Sequence, residues 1–114
     1  MSFVLKKIAD ITVPVSVNVP GEAEPKTIYA RWRLHPVSES KAIMEQQRAG
    51  QLDDDALVKQ DLLGLSGITD EDGNEVAFSE ELVAQLMDTA YVRIPLGMSW
   101  FVAQQGRAEA AAKN

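Results

Sequence analysis

The chain of 114 residues predicts an α+β fold: an N-terminal antiparallel β-hairpin or small sheet followed by three or four α-helices. Three observations carry this. ITVPVSVNVP (residues 11–20) alternates apolar and other side chains without a fault. TIYARWRLH (27–35) repeats the alternation after a turn-forming segment. From Pro36 onward the apolar spacing changes from two to three and four, and Ser and Asp recur where helices would begin.

In the first strand Ile11, Val13, Val15, Val17 and Val19 share one face. Pro14 and Pro20 cannot donate to a ladder, so this is expected to be an edge strand. PGEAEPK (20–26) supplies the turn, and Ile28, Ala30, Trp32 and Leu34 form the apolar face of the second strand. A lone hairpin is marginal in water, so later helices must cover that face. Trp32 is thereby core, and Trp32→Ala is expected to cost about 3–5 kcal/mol in urea unfolding. His35, the only histidine, falls on the polar face. With no carboxylate or nucleophile beside it in sequence, it reads as a strand-end surface residue rather than a catalytic base.

Pro36 ends the strand, Ser38 or Ser40 caps a first helix running to Gln47, and Gly50 stops it. Asp53 caps a second helix, DDDALVKQDLLGL, with Leu57, Val58, Leu62 and Leu65 as its stripe. Asp53, Asp54 and Asp55 suit the positive end of the helix dipole. Metal ligation fits them less well, because adjacent residues at a helix start point different ways. Beyond Pro36, β structure is expected at most as a short hairpin around Gly73.

ITDEDGNEVAFSEEL (68–82) resembles a calcium loop in part. Asp70, Asp72, Asn74 and Glu81 occupy ligand positions, but Glu75 stands where the template wants glycine. A plainer account covers every residue: a tight hairpin turn on Asp72-Gly73, then a third helix capped by Ser79 with Glu80 and Glu81 in its first turn. Phe78 and Val83 are spaced as a hydrophobic staple. No metal or other cofactor is expected.

Thr89 or Ile94 can start a fourth helix, and Pro95 would kink one that began early. Tyr91, Ile94, Met98, Phe101 and Val102 fall near one helical stripe, with Trp100 beside it. Such a stripe serves as core, as a partner groove, or as a surface for self-association into a homo-oligomer. Tyr91, Met98, Trp100 and Phe101 are the candidate partner-binding residues, since aromatics and methionine supply large, adaptable contact area. Trp100 is expected to remain partly exposed. Beyond Gly106, RAEAAAKN lacks an apolar face and reads as a frayed tail (107–114) to a single domain, 1–106.

Composition narrows the functions. Hydrophobic residues are 46% and charged residues 25%, an ordinary globular balance. No apolar run approaches the roughly 20 residues of a membrane span, and MSFVLKKIAD does not resemble a secretion signal. Without cysteine there are no disulfides, zinc–thiolate sites or thiol nucleophiles. The net charge of −6 is uneven: residues 37–90 carry three positive and thirteen negative charges, and the flanking segments are each mildly basic. An acidic middle disfavours nucleic acid as partner.

The segment from about Asp61 to Asn114 resembles the tail assembly chaperones of long-tailed bacteriophages and prophages. The likeness lies in the order and spacing of Asp70 to Gly73, Phe78 to Leu82, Tyr91 to Arg93, Trp100 with Phe101, and Lys113 with Asn114. Departures are Leu65 where relatives often have tryptophan, Ala77 where proline is common, and Pro95 with Gly97 in a segment usually better suited to helix. The resemblance implies a non-enzymatic chaperone that keeps the tape measure protein soluble and helps recruit tail tube protein. It would act in the host cytoplasm and be absent from the finished virion. In many relatives a ribosomal frameshift adds an extended product, and AAAKN is compatible with such a site. Two rivals are an acidic interaction module, such as an antitoxin or DNA mimic, and a small hydrolase dependent on His35.

Overall fold

The computed structural model describes residues 1–106, so the frayed tail expected at 107–114 lies outside the described residues. Among the described residues the order is β1 (Asp10–Val17), β2 (Lys26–Arg33), α1 (Val37–Arg48), α2 (Asp54–Asp61), β3 (Leu62–Ser66), α3 (Glu80–Met87) and α4 (Ala90–Gln104). The three strands form one antiparallel sheet in the order β1-β2-β3. This is the expected α+β architecture.

The alternating faces read from sequence are the faces observed. Val13, Val15 and Val17 of β1 and Ile28, Ala30 and Trp32 of β2 are buried, while Thr12, Ser16, Thr27, Arg31 and Arg33 look to solvent. α4 lies across β1 and β2 on the apolar side. Leu57 and Val58 of α2, Leu62, Met87, Val92, Leu96, Trp100 and Ala103 complete one core with the sheet. On the open face Arg31 ties the strands together, donating to Asp10 Oδ2 and to the Leu63 carbonyl, each at 3.3 Å.

β1 is an edge strand, and its hydrogen bonds explain how Pro14 fits. The Leu34 N–H donates to the Ala9 carbonyl at 3.0 Å, just beyond the Asp10↔Arg33 pair. Bonded and non-bonded positions alternate in an antiparallel ladder, so odd-numbered residues of β1 face β2. Asp10, Thr12, Pro14 and Ser16 therefore present their backbone to the free edge, and Pro14 removes the donor at its middle. Pro14→Thr is expected to restore that donor and raise self-association at matched concentration, read by sedimentation velocity. An unchanged sedimentation profile would show that the edge is guarded by something else.

Three local expectations need correction. The second helix stops at Asp61, and Leu62–Ser66 pairs with β2 as a strand. Trp32 stands opposite Leu62 and Arg31 opposite Gly64, so Leu63 is bulged out of the ladder. The first helix begins at Val37 behind Pro36, with no side-chain cap, and the Ser40 hydroxyl donates to the Val37 carbonyl instead. Around Gly73, the Gly73 N–H donates to the Asp70 carbonyl, and Thr69 bridges Glu75. No described non-glycine residue has positive φ, so the turn is not the expected two-residue form centred on Asp72-Gly73, which would require it at Asp72. It is a longer loop in which Gly73 alone takes the left-handed conformation, at φ +82°.

The caps at Asp53 and Ser79 are as read. Asp53 Oδ1 accepts from the Ala56 N–H at 2.8 Å, and Ser79 Oγ accepts from the Leu82 N–H at 3.0 Å.

Candidate partner-binding surface

α4 starts behind Thr89 and runs unbroken through Pro95 and Gly97. It is apolar on both sides. Val92, Leu96, Ser99, Trp100 and Ala103 face the sheet and are buried. The other stripe, weighed above as core or partner groove, faces solvent: Tyr91 is 41%, Ile94 70%, Met98 60% and Val102 41% exposed. Tyr91 and Met98 are thus exposed, as a partner anchor must be. Phe101 is half-buried, its ring packed edge-on against Trp100 with centroids 4.9 Å apart.

Trp100 is the correction. It was expected to be partly exposed, but its exposure is 0%. Its indole Nε1–H donates to Asp61 Oδ2 at 2.8 Å. Burial of so large a ring, with its one polar atom bonded, makes Trp100 part of the core rather than a contact residue.

Asp61, itself fully buried, gathers the polar groups at this end of the molecule. His35 Nε2 lies 2.8 Å from the same Oδ2, and Arg33 Nε lies 3.7 Å from Oδ1. On its other side His35 Nδ1 faces Glu39 Oε1 at 3.2 Å. The His35 backbone N–H donates to Gln104 Oε1, and Gln104 Nε2 donates to the Arg33 carbonyl. Nearby, Trp32 Nε1–H donates to Ser99 Oγ at 2.8 Å, and Ser99 Oγ donates to the Leu96 carbonyl. His35 is therefore no surface residue. The fold brings two carboxylates to it from α1 and α2, one at each ring nitrogen.

A cleft of about 440 Å³ opens between α2, β3 and α3, floored by Val58, Leu62, Phe78, Val83, Ala84 and Met87. Asp55, Lys59 and Glu80 stand at its margin. Phe78 and Val83, the expected staple pair, both line it. Beside it, Arg93 donates a two-pronged pair of bonds to Asp55, at 3.0 and 3.1 Å, and a third to the Met87 carbonyl. The bonds from Arg93 hold the Asp55 carboxyl below its ordinary range, and Asp55 holds the guanidinium above its own. Further apolar exposure lies in the segment before β1, at Phe3, Val4, Leu5 and Ile8.

In the acidic loop, Asp70 Oδ1 accepts from the Asp72 and Asn74 N–H groups, and Glu81 sits in the first turn of α3. Among the described residues no group of three or more His, Asp or Glu side chains is placed to hold a metal ion. No helix among them is long and apolar enough to cross a membrane. Protein-family models, curated proteins and solved structures yield no match to the chain.

Proposed function

We propose that this protein is a tail assembly chaperone of a long-tailed bacteriophage or prophage, which binds and solubilises the tape measure protein and helps recruit tail tube subunits. The observation that carries the reading is the outer stripe of α4. Four large uncharged side chains stand exposed along a helix whose one charged residue is Arg93. A contiguous apolar stripe on a helix marks a surface suited to contact with another molecule. A long helical tape measure with an apolar side is a fitting client. The motif order from Asp70 to Asn114 supports the same reading.

The test is co-expression with the tape measure protein encoded beside this gene. The tape measure protein is expected in the soluble fraction only when this chain is present, and the two should co-purify. Equal solubility with and without it would remove the reading.

A further inference from the structure

We propose that the outer face of α4 is the docking site for one amphipathic helix whose basic end meets Asp53, Asp54, Asp55 and Asp88. The inference rests on the chaperone reading above and names its contact surface and the chemistry of the partner segment.

Tyr91, Ile94, Met98 and Val102 recur at intervals of three, four and four residues, a continuous ridge roughly 16 Å long by the helical rise. A helix laid along it can seat side chains at i, i+3, i+4 and i+7 against the ridge. Met98, the central exposed member, adapts its shape to what it meets. The two ends of the ridge differ. At the N-terminal end Arg93 is bonded to Asp55 and feels the charges of Asp54 and Asp53. Asp88 shares a shallow depression with Asp55 and Arg93. This end thus holds four carboxylates to one guanidinium, which is bonded to Asp55 alone among them. Pro95 adds an acceptor there, since it has no N–H to give the Tyr91 carbonyl four residues back. A partner must therefore bring positive charge and donors to that end. At the other end Gln104 and Gln105 are neutral.

Two further facts favour a single helix over a second copy. Four side chains on one helix fall well short of the ~800 Å² per partner of a stable protein interface. Two copies would each bring a net charge of −6 to the contact.

The test titrates the full chain into a fluorescein-labelled amphipathic Leu/Ala peptide of about 18 residues, long enough to be helical, with lysines clustered at one end. A companion peptide carries glutamates in their place. The lysine-ended peptide is expected to bind, and the glutamate-ended one to bind at least about tenfold more weakly. Ile94→Glu and Met98→Glu, both at exposed positions, should weaken binding about tenfold or more with unchanged melting temperature. Asp54→Asn with Asp88→Asn should erase most of the preference for lysine, as should added salt. The proposal is overturned if the lysine-ended peptide does not bind, if both peptides bind equally, or if Met98→Glu binds like the parent. It is overturned too if sedimentation shows a dimer of the parent that Met98→Glu dissociates. Met98→Glu that still solubilises the tape measure protein would remove this surface and leave the chaperone reading standing. A parent chain that binds the peptide but never solubilises the tape measure protein would remove the chaperone reading alone.

Discussion

Trp100→Ala is expected to lower the unfolding free energy by about 3–5 kcal/mol, a large share of the ~5–15 kcal/mol that holds a typical domain together. The indole is fully buried between α4 and the body of the protein, and its removal opens a cavity beside Phe101, whose ring packs on it. It also strips Asp61 of a donor. Trp100→Phe separates the two effects. It keeps most of the ring volume and loses the N–H, so about 1–3 kcal/mol should go. Urea unfolding followed by far-ultraviolet circular dichroism measures both. Near-parental stability of Trp100→Ala would mean that the indole is not in the core.

Asp61→Ala is expected to be as damaging, at about 3–5 kcal/mol, because it takes the acceptor from a buried cluster and leaves the donors behind. The Trp100 N–H, the facing His35 nitrogen and the nearby Arg33 guanidinium all converge on this one carboxylate. Asp61→Asn keeps an acceptor of the same shape and should lose less, about 1–3 kcal/mol. If Asp61→Ala and Asp61→Asn unfold at the same denaturant concentration as the parent, the cluster contributes no stability. The ordering of the two variants matters more than either magnitude.

Much of this architecture was legible because it depends on local physics. The alternation in Ile11–Val19 and Ile28–Leu34 states which faces are buried, and Asp53 and Ser79 announce their helices with their own side chains. What was not legible depends on distant partners. Leu57, Val58, Leu62 and Leu65 fit a helical stripe, yet Leu62–Ser66 is a strand because β2 offers it a ladder. Gly64 was the one local hint. Asp61 reads locally as one more polar residue inside a helix. A carboxylate in the last turn of α2 opposes the helix dipole, and that misfit was the available sign that something compensates it. His35 reads as isolated because Asp61 lies 26 residues away, and Glu39, four residues on, reaches the ring only once α1 forms.

The choice of face at α4 turns on its polar bonds. Its sequence offers two apolar stripes, and the one containing Ser99 looks the less suitable for burial. Ser99 is buried because it accepts the indole N–H of Trp32, a bond formed across 67 residues. Tyr91 and Met98 are therefore available to a partner for the same reason that Trp100 is not. Ile94 and Val102 belong with them on the exposed ridge.

A helix that is greasy all the way round has two comparable ways to lie on a sheet. Burial of hydrocarbon has no direction, so it cannot tell α4 which side to turn down. Direction comes from the bonds to Trp32, Asp61, Arg33 and His35, which only one rotation of the helix can make. Those few polar contacts set the roll angle of α4, and so decide which of its two oily faces becomes interior and which is offered to the outside world.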